Sequence, residues 1–128
     1  MRAIGFFAFA TLATVLPALV VAWNMGAMAP FWFLAGDAYL YLGIGEASTG
    51  LSMSFDGLRP TNGFHPLWQV WVRLATALGG GPLPAMWLVS FGAIVLTLAG
   101  VMLLGLAIRR FTGSWVLAML AVPGVYYL

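Results

Sequence analysis

Apolar positions along this chain fall into long unbroken runs on either side of one mixed stretch, a pattern that predicts helices in lipid. Residues 3–23 carry no charge and match the roughly 20 residues a helix needs to cross the hydrocarbon core of a bilayer. Residues 82–108 form a second uncharged run, long enough to cross with tilt, and Arg109 and Arg110 close it. A third apolar run over 113–128 follows that pair and is still apolar where the sequence stops, so the chain reads as the front part of a longer protein. Pro17 predicts a kink in the first run, which membrane helices accommodate when neighbours satisfy the freed carbonyl. Ala27-Met28-Ala29 resembles a signal-peptide cleavage site, yet the apolar run before it exceeds the roughly 7–15 residues of a signal peptide, so an uncleaved anchor is expected.

Between the runs the periodicity changes. Trp23 and Phe31-Trp32-Phe33 supply aromatic rings where the chain leaves the bilayer. Residues 37–49 have helical spacing, with Leu40, Tyr41 and Ile44 on the side that carries Asp37, and Gly50 ends the segment short of a span. Residues 51–65 show no period and hold the turn formers Asp56-Gly57, Pro60 and Asn62-Gly63. Pro66 then suits the first position of a helix over 66–79 that stops at Gly79-Gly80-Gly81. At 1.5 Å per residue that helix is ~20 Å long, too short for a core of ~30 Å. Its polar residues Gln69, Arg73 and Thr76 form one stripe at i, i+4 and i+7, opposite Leu67, Trp71, Leu74 and Leu78. Such a helix is expected to lie flat in the membrane interface.

Composition narrows the class. With 63% hydrophobic and 6% charged residues, and a mean hydropathy of +1.04, the chain is expected to be an all-α, multi-pass membrane protein. A net charge of +2, carried by five scattered arginines and no lysine, argues against a nucleic-acid surface. The absence of cysteine removes disulfides, thiol catalysis and Cys-ligated zinc. Arg2 and the Arg109-Arg110 pair fall on one side if only 3–23 and 82–108 cross, as the positive-inside rule requires. The expected topology is therefore a cytoplasmic N-terminus in the inner membrane and a periplasmic or extracellular loop over 24–81. Were 66–79 to span, Arg73 would sit at mid-bilayer at a cost of roughly 2.5–3.5 kcal/mol.

Every acid, Asp37, Glu46 and Asp56, and the sole histidine, His65, lies in that loop. Asp37 stands at a helix N-terminus, where the backbone dipole favours an ionised carboxylate, and an N-cap would by itself explain it. Glu46 points away from Asp37 on the same helix, so the two make no carboxylate pair. Asp56 before Gly57 reads as a turn residue and His65 before Pro66 as a cap. Arg59 suits either neutralising Asp56 or binding a phosphate near the bilayer surface. One histidine and three scattered acids do not build a closed structural metal site.

The order of these residues is more specific than any one of them. Asp37-Ala-Tyr-Leu-Tyr-Leu, followed some twenty residues on by Phe55-Asp-Gly-Leu-Arg-Pro-Thr-Asn-Gly-Phe-His-Pro-Leu-Trp68, resembles the first external loop of the GT-C class of integral-membrane glycosyltransferases. The likeness is to the bacterial branch of mannosyl- and arabinosyltransferase-like proteins, with its Asp-Asp-Ala-Tyr and Thr-Asn-Gly-(Phe/Tyr)-His-Pro-Leu-Trp patterns. It extends over residues 1–128, and its specific part is 36–68. The resemblance implies two juxtamembrane helices in the first loop and transfer, with inversion, of a sugar from a polyprenyl-phosphate donor to an acceptor on the outer face. It implies Asp37 as general base, or as the holder of a divalent cation (Mg or Mn) or of the acceptor, and places Arg59, Asn62, His65 and Tyr41 at the substrate. Membrane lipid is the implied surrounding partner. Gly36 stands where many relatives carry a first acid, so only the second is retained, and without the further spans of the family this stretch alone is expected to be inactive.

Two other classes share the composition. A transporter or channel subunit normally keeps an ionisable site near mid-bilayer, and none of the three runs holds a charge. A small structural membrane protein leaves the concentration of acids, turn formers and histidine in one loop without a reason.

Overall fold

The computed structural model describes residues 3–34, 36–48, 53–54, 56–59 and 65–127, which are almost wholly helical, with no extended strand among them. Helix α1 (Ala3–Met25) runs through Pro17 and leads into a 3-10 turn (Gly26–Met28) and the single turn α2 (Pro30–Phe33). There follow α3 (Gly36–Ala47), α4 (Pro66–Gly79), α5 (Pro82–Thr112) and α6 (Trp115–Tyr127). Of these, α1 and α5 are long and apolar enough to cross a membrane. Proline opens α2, α4 and α5, where its missing N–H is no loss. Gly80 and Gly113, at φ 65° and 74°, take the left-handed conformation that closes α4 and α5.

The chain forms two units, Met1–Trp23 with Ala93–Leu128, and Asn24–Gly92. In the first, Phe6, Ala10, Val101, Ala118 and Val122 make the core. The Phe6 ring lies 5.4 Å from those of Phe7 and Trp115, and it fits because Gly105 presents bare backbone: a Cβ there would overlap the ring. Thr14 donates its hydroxyl to the Ala10 carbonyl at 2.8 Å, so this polar group inside an apolar helix is satisfied by its own backbone.

The second unit holds both short helices and the start of α5. Leu34, Leu42, Val72, Ala75, Met86 and Val89 form its core, flanked by Ala38, Tyr41, Trp68 and Leu88. Helices α3 and α4 approach closely at Gly45, where a Cβ would stand 3.1 Å from Val72 and 3.3 Å from Thr76. Trp71 turns its indole onto Gly92 of α5, again at a spot with no room for a Cβ. On α3 the contact face runs through Ala38, Tyr41, Leu42 and Gly45, and Leu40 is 51% exposed. One expectation changes here. The α4 polar stripe is not left to water: Gln69 is wholly buried, while Leu67, Val70, Leu74 and Leu78 face outward at 89, 59, 47 and 68% exposure. The helix is amphipathic with its polar side turned toward protein. The outward ridge is the surface suited to lipid.

Substituting Gly105→Ala forces a methyl into the fully buried Phe6 ring, and overpacking of this kind costs about 1–3 kcal/mol. The thermal midpoint of helix loss in detergent micelles is expected to fall. Gly100→Ala, which meets nothing within 4 Å, is expected to leave it unchanged or raise it slightly.

Candidate functional site

Tyr41 is the junction of the second unit. Its position on the contact face of α3 carries the side chain toward the start of α4, where two hydrogen bonds and a ring stack converge on the residue. The His65 backbone N–H donates to the Tyr41 hydroxyl at 3.1 Å, the imidazole of His65 stacks on the phenol ring (centroids 6.2 Å apart, planes 16° from parallel), and the Gln69 side-chain amide donates to the Tyr41 carbonyl at 3.0 Å. Two residues 24 positions apart in sequence are thereby held ring against ring. His65 is the N-cap of α4, with extended backbone (φ −85°, ψ 109°), and its imidazole makes no capping bond, which leaves the ring for other partners. The Tyr41 hydroxyl, having accepted one N–H, keeps its own proton to donate.

Asp37 lies in the first turn of α3, exposed, one turn before Tyr41. The i, i+4 spacing sets the carboxylate on the same side of the helix as the phenol, with the positive end of the helix dipole behind it. A carboxylate, a hydroxyl and an imidazole are thus gathered at one end of α3. Glu46 is exposed at the other end, as its spacing requires.

Asp56 and Arg59 belong to a separate turn. The Asp56 carboxylate accepts the backbone N–H groups of Leu58 and Arg59, each at 2.8 Å, and the Ser54 hydroxyl at 3.1 Å. These donors, Arg59 and Leu58 first, hold its pKa below the ordinary carboxylate value. The buried Ser54 ties the turn to the end of α3, donating its N–H to the Ser48 hydroxyl at 2.9 Å, and its own hydroxyl also reaches the Arg59 carbonyl at 2.8 Å. Asp56 is therefore a turn-former bound by backbone. Arg59, exposed, is anchored at the opposite end of α3 from Asp37, about 16 Å along the axis at 1.5 Å per residue. A ligand that meets both must run along that helix. Asn62 lies outside the described residues.

Among the described residues no three His, Asp or Glu side chains come together in a metal-binding group. Asp37 could give a divalent cation one ligand, with water and substrate oxygens completing the shell, which suits magnesium better than a closed site. Gln69 is the residue that the sequence pattern misassigned: as one of three polar positions on a short helix it reads as solvated, whereas it is the buried clamp on Tyr41. The signal for this was weak, a small residue, Gly45, on the neighbouring helix where the stripe could be covered.

The Asp56 turn carries a pH dependence. Because the folded carboxyl has a depressed pKa, its stabilisation is present above the ordinary carboxylate range and is lost as pH falls through the folded value. Amide exchange at Leu58 and Arg59 is expected to accelerate on acidification below about pH 4 relative to other exposed amides. Asp56→Asn, which keeps an acceptor but no titrating group, is expected to flatten that dependence. Compared with protein-family models, with curated proteins and with solved structures, the chain matches none.

Proposed function

We propose that this chain belongs to a membrane glycosyltransferase that moves a sugar from a polyprenyl-phosphate donor to an acceptor hydroxyl at the outer face of the membrane. One observation carries the reading: the two halves of the 37–68 pattern meet, with His65 stacked on Tyr41 one turn from the exposed carboxylate of Asp37. Three of the residues that the resemblance assigns to one substrate, Asp37, Tyr41 and His65, thus lie at the same end of α3, although the sequence separates them, whereas Arg59 lies at the other end.

The chemistry asked of them is balanced and simple. Asp37 takes the proton from the acceptor hydroxyl as its oxygen bonds to the anomeric carbon, and the bond from that carbon to the phosphate oxygen breaks on the opposite face, inverting the centre. The leaving polyprenyl phosphate carries a second negative charge, for which His65 and Asn62 are the proposed partners and a divalent cation at Asp37 the alternative, while Arg59, at the other end of α3, is proposed to meet a more distant part of the substrate. Tyr41 orients His65 and offers its own O–H. A donor phosphate lies at headgroup depth, and α4 is suited to the same depth: 14 residues, about 21 Å, with an outward apolar ridge. In this reading α1 and α5 cross the inner membrane, the N-terminus is cytoplasmic and 24–81 is external.

The test is Asp37→Asn in the full-length protein, assayed in membranes for transfer from a polyprenyl-phosphate sugar. Loss of a general base is expected to lower the rate by roughly 10²–10⁴ while helicity is kept. Undiminished transfer removes Asp37 from the mechanism.

A further inference from the structure

The first unit holds positive charge that its own residues do not answer. All three acids, Asp37, Glu46 and Asp56, belong to the second unit, whereas Arg109 and Arg110 stand together in the last turn of α5 in the first. The two guanidiniums differ in their surroundings. Arg109 is partly buried, its Cζ 5.7 Å from the centre of the Trp115 ring and its Nη1 over the turn at Gly113, where a Cβ would stand 3.4 Å away. Arg110 is exposed, and its side chain has no hydrogen-bond, ion-pair or ring partner among the described residues.

Arg110 also closes an apolar stripe. At 100° per residue it lies within about 60° of arc of Ala99, Leu103 and Leu106. Leu103 and Leu106 are 66 and 43% exposed, and Ala99 is exposed as well. Val101 and Gly105, which pack around Phe6, lie on the other side of α5. From Ala99 to Arg110 the stripe rises about 16 Å, close to one leaflet's share of a ~30 Å hydrocarbon core. A lone cation at the end of an uncharged stripe of that length matches a lipid with an anionic head: the guanidinium forks onto phosphate and the leucines meet an acyl chain. A second copy paired along the same stripe in one membrane sets Arg110 against Arg110, a like-charge contact.

We propose that the Arg110 end of α5 seats an anionic phospholipid, with its phosphate on the Arg110 guanidinium and an acyl chain along Ala99, Leu103 and Leu106. Arg109 adds to the positive field from its place on Trp115. The seat belongs to the unit without Asp37 and is read without turnover. The experiment is native mass spectrometry of the detergent-purified chain with phosphatidylglycerol, phosphatidylethanolamine or phosphatidylcholine of matched acyl chains. The two zwitterions carry their own cation beside the phosphate, so phosphatidylglycerol is expected to be retained about five-fold better for each guanidinium that it meets. Arg110→Gln, at an exposed position, is expected to cut that preference about five-fold with helicity intact. Combining Arg110→Gln with Phe111→Arg keeps the net charge but moves the cation about 100° around the helix, off the stripe, and is expected not to restore the preference. Soluble glycerol phosphate, which has no acyl chain, is expected not to displace the lipid. Equal retention of the three lipids by the unmodified chain, an unchanged preference in Arg110→Gln, its recovery in the double variant, displacement by glycerol phosphate at equal concentration, or a dimer that excludes phosphatidylglycerol would each overturn the proposal.

Discussion

The second unit depends on one constraint: α4 is too short to cross a bilayer yet too apolar to stand in water. Fourteen residues give about 21 Å, and the exposed ridge of four large aliphatic side chains needs an apolar neighbour. The remaining polar residues of the helix must then be covered from the other side. Helix α3 does this, and can come close enough because Gly45 puts no side chain against Val72 and Thr76. Burying a polar amide is costly, and the Gln69 side-chain N–H is met by the Tyr41 carbonyl, while its Oε1 has no partner among the described residues.

The same contact decides where the candidate chemistry stands. Because Gln69 clamps Tyr41 at one point of its backbone, and His65 begins α4 one turn earlier, the Tyr41 and His65 rings stack beside the exposed Asp37. The far end of α3 is fixed independently, by the Ser48 and Ser54 hydroxyls and the backbone-bound Asp56, and it carries Arg59 and Glu46. One short helix thus separates two polar regions, a carboxylate with aromatic donors at its start and Glu46 with Arg59 at its end. Glycine has a matching role in the first unit, where Gly105 admits Phe6. Close approach at a bare backbone is how apolar helices gain contact when lipid supplies no hydrophobic drive between them.

Much of this was legible from residue order. Uncharged runs of sufficient length mark α1 and α5, since lipid leaves no other way to satisfy the backbone, and prolines and glycines mark where α4 and α5 begin and end. The turn role of Asp56 was readable because Asp before Gly forms its bonds within three residues. Which face of a short helix is buried was not. Leu40 and Tyr41 are adjacent and similar in size, and the 3.6 period permits either face when nearly every position is apolar.

Local sequence therefore determined the elements: their lengths, their caps, the apolar class and the concentration of ionisable groups between two long helices, all of which follow from hydrogen bonding and hydrophobicity within a few turns. Tertiary structure alone decided the inward turn of the Gln69 stripe, the stacking of His65 on Tyr41 and the placement of Arg59 at the opposite end of α3 from Asp37. The first two depend on contacts between residues 24 or more positions apart, chosen by the fit of one helix surface on another, and the third on Ser54 bonding both Ser48 and Arg59 in a stretch without period, so no local periodicity encodes them.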